Sequence, residues 1–164
     1  MKFTRRDAIG TMVAATAVAA VPGTVAIAEG TVHEVQMLNA HPEDKKERQV
    51  FYPDIVRAMP GDTIRFISVD KGHNAASDKK MIPSGGEEWK GKIGGDVEIT
   101  ITTEGAYGYN CTPHSTVGMV GLILVGDVSG NYDDIKGVRQ RGKAKQRYED
   151  IFARADAMLA EETA

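Results

Sequence analysis

The 164-residue chain has one cysteine, one tryptophan and 6% aromatic residues, and its acidic and basic residues nearly balance, for a formal net charge of -3. A single cysteine excludes an internal disulfide bond. A general nucleic-acid-binding protein would carry a surplus of positive charge, so the net charge argues against that class. Hydrophobic residues make up 41% and charged residues 26%, which is typical of one globular domain rather than of a disordered chain.

The first 28 residues are predicted to form an export signal. Basic residues at Lys2, Arg5 and Arg6 precede an apolar stretch from 8 to 21, and a small-residue cleavage pattern follows at 26–28. The apolar stretch is too short and too weakly hydrophobic to span a membrane, so we expect no stable membrane anchor. The basic pair resembles a twin-arginine signal, which exports folded proteins; a general secretory signal is the alternative.

Export would place the mature chain, residues 29–164, in the periplasm with a lone thiol. This part has 17 basic and 22 acidic residues, a net charge of -5. In an oxidising compartment, an unpaired cysteine is a hazard unless it is buried, paired with another chain or bound to a metal. The thiol of Cys111 therefore requires an explanation.

The first part of the mature chain consists of short apolar segments that alternate with turn residues. In the clearest segment, 96–102, Val97, Ile99 and Ile101 share one face, which predicts a strand with one buried face. Pro60-Gly61 is expected at the centre of a type II turn. Further strands are predicted at 31–38, 62–69, 106–111 and 120–125. This spacing predicts a mainly β fold, either a β-sandwich or a barrel.

After Gly126 the apolar spacing changes to three and four residues, which predicts two C-terminal α-helices within about 131–162. Asn131 is expected to cap the first helix and Gly142 to end it. The second helix begins near Lys143 and carries an apolar stripe. The stripe is formed by Ala144, Tyr148, Ile151, Phe152, Ala155 and Leu159. We expect it to pack on the strands, and a partner-binding helix is the alternative.

The lone cysteine lies in a short loop between two predicted strands, together with a histidine and a methionine. Cys111, His114 and Met119 offer a thiolate, an imidazole and a thioether. Completed by a second histidine, this donor set favours copper in a trigonal site with a long axial methionine, the type used for electron transfer. His73 is the best candidate for that histidine, because it also follows a predicted strand and could reach the same end of the fold.

Other interpretations of these residues remain open at this point. Zinc accepts cysteine and histidine, but methionine is a poor ligand for it. A nucleophilic pair of Cys111 and His114 lacks an evident third orienting residue. A structural or sensory module with a fortuitous loop would leave Cys111 reactive and free of metal. His33 lies within the first predicted strand and His41 in a polar loop, and neither is expected to bind a metal.

Several motifs occur together in one known family. These are the Cys111-x-x-His114-x4-Met119 loop, the Asp70–Asn74 segment, the Met59–Asp62 turn, the Met81–Pro83 segment and the two C-terminal helices. Together they resemble the pseudoazurin family of bacterial periplasmic cupredoxins over nearly all of the mature chain. The resemblance implies an eight-stranded Greek-key β-sandwich with two terminal helices. It also implies one copper ion per chain, bound by His73, Cys111, His114 and Met119.

The resemblance implies a role for each residue of this site. Cys111 would form the strong thiolate bond to copper, and Met119 would tune the potential from a distance. Asn74 would tie the two ligand loops together by hydrogen bonds near the sulfur. Pro113 has no backbone N–H, so it would keep one hydrogen-bond donor away from the metal.

The resemblance further implies a monomeric one-electron carrier rather than an enzyme. Its acceptor would be copper nitrite reductase or another periplasmic reductase of denitrification, and its electron donor stays unidentified. The alternative is a copper-binding or copper-delivery protein that uses the same fold without an electron-shuttle role. Reversible reduction without loss of the metal separates these two hypotheses.

A local lysine surplus suggests where a partner would bind. Residues 71–92 contain five lysines and three acids in a chain of negative net charge. Members of the family use a lysine collar around an exposed histidine, here His114, to attract acidic reductases. The candidate docking residues are Lys71, Lys79, Lys80, Lys90 and Lys92. Around His114 the sequence differs from the usual family pattern. The differences are at residues 40–48, Gln49, Asn110 and residues 115–117.

Overall fold

Eight strands, one 3-10 helix and two α-helices make up the described part of the chain. The structure is a computed structural model that describes residues 30–164, so the predicted export signal lies outside the described residues. The strands are β1 (Val32–Ala40), β2 (Arg48–Tyr52), β3 (Ile55–Ala58), β4 (Asp62–Ile67), β5 (Ala76–Ser77), β6 (Val97–Ile101), β7 (Gly105–Asn110) and β8 (Val120–Val125). The helices are the 3-10 helix η1 (Thr112–Val117), α1 (Tyr132–Lys136) and α2 (Lys143–Glu162).

The strands form two four-stranded sheets with the orders β2-β1-β4-β6 and β3-β8-β7-β5. The β1–β4 and β3–β8 pairs are parallel, and the other pairs are antiparallel. Non-consecutive strands therefore lie side by side in both sheets, as in a Greek-key sandwich. The predicted β-sandwich with C-terminal helices is confirmed.

The apolar faces of the two sheets meet in a core that extends to the cysteine loop. Val35, Phe66 and Tyr109 are fully buried in this core, because side chains alternate between the two faces of each strand. Cys111 and Met119 belong to the same buried cluster. The loop that carries the candidate ligands therefore closes one end of the core rather than lying free on the surface.

The turn before β4 has the predicted geometry. Gly61 has a φ of 95°, and the N–H of Asp62 donates to the carbonyl of Met59 at 3.0 Å. A type II turn needs a positive φ at this position, which glycine adopts without steric cost. The turn sets the start of β4, the strand that precedes the His73 segment.

The first C-terminal helix differs from the prediction in both its cap and its end. Asn131 precedes α1, but its side chain exchanges two 2.8 Å hydrogen bonds with the backbone of Ala106 in β7. The helix ends at Gly137, and Gly142, with a φ of 58°, stands directly before α2 instead. Asn131 therefore stands at the predicted N-cap position, but its side chain does not cap the helix, and the predicted end at Gly142 is wrong. The Asn131 side chain bonds to the sheet instead of to the first turn of the helix. The helix itself is only five residues long.

The second helix packs on the sheet as predicted. Its stripe from Ala144 to Ala155 is buried in a second cluster, together with Leu122 and Leu124 of β8. The hydroxyl of Tyr148 donates to the carbonyl of Tyr109 at 3.0 Å. The expected intramolecular packing is confirmed. Within residues 30–164, none of the helices combines the length and hydrophobicity needed to cross a membrane.

Candidate metal centre

Three side chains from two separate segments converge at one end of the sandwich. His73 lies between β4 and β5, Cys111 follows β7, and His114 lies in η1. The Nδ1 atoms of the two histidines are 3.1 Å apart, and the Cys111 Sγ lies 3.8 Å from the Nδ1 of His73 and 3.4 Å from that of His114. Among the described residues, these three form the group of histidine, cysteine or acidic side chains close enough to hold a metal ion.

The size of this triangle fits a metal ion. A point equidistant from the three atoms lies about 2.0 Å from each of them, and bonds from a divalent metal to nitrogen and sulfur ligands are about 2.0–2.3 Å long. The triangle is acute, so this point lies inside it. Two imidazoles and a thiolate in one plane are the equatorial donor set of a blue-copper site. The residues present therefore fit copper.

The fourth candidate, Met119, is fully buried in the same cluster as Cys111. Backbone hydrogen bonds close the loop around it: Cys111 N–H donates to the Met119 carbonyl at 2.9 Å, and Met119 N–H donates to the His114 carbonyl at 3.1 Å. The position of the methionine relative to the other two loop residues is thus fixed by the backbone. Burial beside the thiol is what an axial thioether requires.

The helix η1 places the Nδ1 of His114 next to the Cys111 Sγ. Its first turn contains Pro113, at a position where a backbone N–H would have no partner within the helix. The helix ends at Gly118, whose φ of 99° lets the chain turn into β8. Pro113 is exposed and has no N–H, and the N–H of His114 donates to the Cys111 carbonyl at 3.0 Å in the i→i+3 pattern of the 3-10 helix.

A hydrogen bond orients the ring of His73. Its Nε2 lies 3.0 Å from the Oδ1 of Asn39, an atom that can only accept a hydrogen bond. We therefore assign the proton of this buried ring to Nε2, which leaves the Nδ1 lone pair directed at the triangle. Burial lowers the pKa of His73, the nearby His114 lowers it further, and Asp70 acts in the opposite direction. The neutral ring is the form that binds a metal.

The sequence did not reveal Asn39 as part of the site. It lies in β1, 34 positions before His73 in the chain, and it reaches the histidine only because β1 pairs with β4 in parallel. An asparagine near the end of a strand has many common roles. No local pattern distinguishes this one.

Asn74 connects the two ligand segments, at the place where the resemblance puts a linking asparagine. Its Oδ1 accepts the N–H of Thr112 at 2.8 Å, and its Nδ2 donates to the Gly91 carbonyl at 3.0 Å and to the Thr112 hydroxyl at 3.1 Å. The residue is 1% exposed. The segment carrying His73 is therefore fastened directly to the residue after Cys111.

The thiol of Cys111 is buried and forms no disulfide bond within the described residues. Burial raises the pKa of Cys111, and backbone N–H groups of Asn74 and His114 act in the opposite direction. Without a cation the group is thus held as a thiol, and a metal ion would favour the thiolate. Burial also protects the thiol from reagents in the solvent.

The site opens to the surface at His114. This residue is partly exposed, whereas His73, Cys111 and Met119 are fully buried. Val117, the last residue of η1, is 47% exposed, so the ligand loop also presents an apolar side chain to the solvent. A partner would approach the three donors most closely at this point.

The five candidate docking lysines are all exposed, but they differ in their surroundings. Lys90 and Lys92 flank Gly91, the residue that Asn74 contacts, and Lys71 lies two positions before His73. Lys79 is paired with Glu88 at 2.9 Å. Lys80 lines a groove with Ser115 and Thr116 of η1.

The two remaining histidines are engaged elsewhere. The Nε2 of His33 lies 2.9 Å from the Oδ2 of Asp62, near the turn before β4. The Nδ1 of His41 accepts backbone N–H groups of the following loop, and its ring packs edge-on against Tyr52. Neither contributes to the triangle.

Comparison with known proteins identifies the family. The family model of copper-binding proteins of the plastocyanin/azurin family matches residues 37–126. A pseudoazurin of Paracoccus pantotrophus is 40% identical over 142 residues, covering 87% of this chain and 96% of the relative, and one of Methylorubrum extorquens is 38% identical over 140 residues, covering 85% and 92%.

The same family appears among solved structures. The crystal structure of native pseudoazurin from Hyphomicrobium denitrificans superposes with a TM-score of 0.71 at 35% identity, covering 76% of this chain and 98% of that one. Pseudoazurins and plastocyanins are electron-transfer cupredoxins rather than enzymes, and copper is their cofactor. This chain belongs to the pseudoazurins, the copper electron carriers of the plastocyanin/azurin family.

Proposed function

We propose that this pseudoazurin binds one copper ion through Cys111 Sγ and the Nδ1 atoms of His73 and His114, with Met119 as the axial ligand. It carries single electrons in the periplasm from an unidentified donor to a reductase of denitrification such as copper nitrite reductase. The observation that carries the proposal is the triangle of donor atoms with sides of 3.1, 3.4 and 3.8 Å.

The protein holds these donors in place by contacts that do not involve a metal. The Asn39 side chain fixes the ring of His73, and the Asn74 side chain fastens its segment to Thr112. Backbone hydrogen bonds between Cys111, His114 and Met119 close the other segment. Copper supplies the one-electron couple of Cu(I) and Cu(II). Ligands held by such supporting contacts move little when the charge changes, which favours fast transfer.

The lysines nearest the site would attract the acceptor. Lys71, Lys90 and Lys92 lie on segments in direct contact with the candidate ligands or with Asn74, and we found no ion pair for them within residues 30–164. Positive charge beside the partly exposed His114 steers an acidic protein toward the site. Lys79 contributes less, because Glu88 neutralises it.

The export signal predicted for residues 1–28 supports the periplasmic assignment. A twin-arginine route would deliver the folded protein, whereas a general secretory route would require folding and copper loading in the periplasm. We propose that the mature domain begins near residue 29 and acts as a monomer.

Redox cycling tests the carrier role against copper delivery. Copper-loaded protein is reduced with ascorbate, reoxidised with ferricyanide and reduced again, and the copper that remains bound is measured after each cycle. We expect the copper content to stay constant. Loss of the metal upon reduction would contradict the carrier role and favour copper delivery.

Mixing experiments test the acceptor. Reduced protein is mixed with copper nitrite reductase at increasing salt, and its reoxidation is followed in the visible spectrum. We expect the rate to fall as salt rises, and to fall more for Lys90→Gln than for the matched control Lys79→Gln. A rate independent of salt would contradict electrostatic steering, and absence of transfer would exclude this reductase as the acceptor.

A further inference from the structure

A second basic surface lies in the connection between α1 and α2. From Lys136 to Arg147 the sequence contains six basic residues and no acid, in a mature chain of net negative charge. The surplus is denser than the one in residues 71–92, where acids are interspersed among the lysines. It therefore needs its own explanation.

Half of these charges are neutralised by neighbours. Lys136 pairs with Asp156 at 2.9 Å, Lys145 approaches Glu149 at 3.8 Å, and Arg147 pairs with Glu47 at 3.0 Å. The other three cations are Arg139, Arg141 and Lys143. Within the part of the chain that the structure describes, they form no ion pair, and all three are exposed.

These free cations lie beside the ligand loop. Arg139 and Arg141 line a groove of about 410 Å³ together with Lys80 and with Ser115 and Thr116, the two residues that follow His114 in η1. A neighbouring hollow of about 500 Å³ is lined by Lys80 and residues 139–142. We call this surface, formed by Lys80, Arg139 and Arg141, the arginine groove; Lys143 lines a separate hollow with Val117 and Gly118. Asp78 is the acid that lines the arginine groove, and its carboxylate accepts the backbone N–H of Lys80 at 3.0 Å.

The arginine groove is held rigidly against the copper loop. At Gly142 an added Cβ would lie 2.3 Å from the carbonyl oxygen of Thr116, so the two backbones are in direct contact. The Nε2 of Gln140 donates to the Sδ of the buried Met81 at 2.9 Å. The arginines flanking Gln140 are therefore presented by an anchored segment rather than by a free loop.

We propose that the arginine groove is a docking site for an acidic face of the redox partner, with partner carboxylates paired to Arg139 and Arg141. A guanidinium group binds a carboxylate through two parallel hydrogen bonds, which gives orientation as well as attraction. This docking site rests on the proposed function, which supplies the premise that the partner exchanges electrons with this protein. It adds a specific anchor beside the residues that follow His114 in η1.

The charges around the groove favour a protein over a long polyanion. Glu149 lines a hollow with Arg139 and Gln140, and Asp150 lines another with Lys143, so acids of α2 flank the patch. A nucleic acid or a similar extended polyanion would meet these acids and be repelled. A folded partner that presents one compact cluster of carboxylates would bind the groove without meeting these acids.

The first test uses an acidic peptide and does not depend on the reductase. Hexaglutamate is titrated into the Cu(I) form of the protein at moderate salt, about 0.1 M, and backbone amide shifts are followed by NMR. We expect the largest shifts at residues 139–143 and at 115–116. Arg139→Gln/Arg141→Gln should weaken binding about five-fold, because two charged pairs are lost.

The matched control adds negative charge elsewhere on the same helix. Ala153→Glu/Ala157→Glu changes the net charge by the same two units at two exposed positions of α2, about 15 Å along the helix from Lys143. It should alter peptide binding less than about two-fold at moderate salt, because screening limits the range of surface charges. Equal effects of both double variants would overturn the proposal, as would shifts centred on Lys90 and Lys92.

The second test measures reoxidation by copper nitrite reductase. The arginine double variant should react about five-fold more slowly than the wild type at low salt, and with a weaker salt dependence. Its visible spectrum and its rate with a small inorganic oxidant should be unchanged. If the wild-type protein does not react with this reductase, the proposed acceptor is wrong, and the peptide titration alone decides the role of the arginine groove.

Discussion

The Nε2 of His73 lies 3.0 Å from the Oδ1 of Asn39, a residue of the neighbouring β1 strand. This contact places the proton of the buried ring on Nε2 and leaves Nδ1 free to bind copper. Asn39 therefore supports the metal site without touching the metal. It also joins the ligand to the first strand of the sandwich.

Replacing Asn39 with leucine removes this acceptor while keeping a side chain of similar size. We expect copper affinity to fall about 10- to 100-fold, the usual effect of losing the partner of a ligating histidine. Competition with a copper chelator measures the affinity. Asn39→Asp, which retains an acceptor oxygen, is the control; equal affinity in Asn39→Leu and the wild type would contradict the role of this contact.

Replacing Asn74 with alanine unfastens the two ligand segments. Three hydrogen bonds to Gly91 and Thr112 are lost, and each buried group left without a partner costs about 1–3 kcal/mol. We expect a lower unfolding free energy in denaturant and faster reaction of the Cys111 thiol of the apoprotein with a thiol reagent.

Thr112→Val is the matched variant for this experiment. It removes the hydroxyl contact but keeps the backbone N–H bonded to Asn74. We expect it to lose less stability than Asn74→Ala. A larger loss in Thr112→Val would show that the hydroxyl, rather than the asparagine bridge, holds the segments together.

Gly142→Ala tests whether the α1–α2 connection supports the copper loop. The new Cβ would lie 2.3 Å from the Thr116 oxygen, and the φ of 58° is unfavourable for alanine. We expect a loss of about 1–3 kcal/mol in unfolding free energy, accompanied by a changed visible spectrum. Gly130→Ala, where the added Cβ meets nothing, should leave both nearly unchanged. A stable Gly142→Ala with an unaltered spectrum would contradict the coupling.

The contact between Asp62 and His33 predicts a pH dependence of stability. Burial raises the pKa of Asp62, but hydrogen bonds from Met59, His33 and Thr31 outweigh it and hold the pKa below its usual value of 3.8. A carboxyl group whose pKa is lower in the folded state stabilises the fold above its unfolded pKa and loses that contribution as the pH falls through the folded value.

We therefore expect the unfolding free energy of the wild type to fall more steeply below about pH 4 than that of Asp62→Asn. Denaturant unfolding between pH 6 and pH 2.5 measures the difference. Because the side chain lies at the turn before β4, the copper spectrum at neutral pH should be the same in both proteins. Parallel pH profiles would contradict the assignment of this effect to Asp62.

The sequence was sufficient to predict features that depend on local spacing. Cys111, His114 and Met119 lie within nine residues, between two clear strands, so their chemistry is visible without a structure. The apolar stripe of α2 is visible for the same reason. The strands β2, β3 and β5 were not predicted: β3 and β5, with four and two residues, are too short for an alternating pattern, and in β2 the neighbours Val50 and Phe51 are both buried.

Features that depend on long-range contacts could not be predicted. Asn131 has the sequence signature of a helix cap, but its amide bonds to Ala106, 25 positions away in the chain. Asn39 reaches His73 through the pairing of β1 with β4. The free charge of Arg139 and Arg141 becomes evident only once the ion pairs of the neighbouring cations are known.

The central claim is that Cys111 binds copper as a thiolate in one plane with His73 and His114. The most direct measurement is the visible absorption and electron paramagnetic resonance of the mature protein after addition of Cu(II), compared with Cys111→Ser and Met119→Leu. We predict an intense thiolate-to-copper band with narrow copper hyperfine splitting, absent in Cys111→Ser and retained with a shifted potential in Met119→Leu. A weak, ordinary copper spectrum in the wild type, or unchanged colour in Cys111→Ser, would contradict the account.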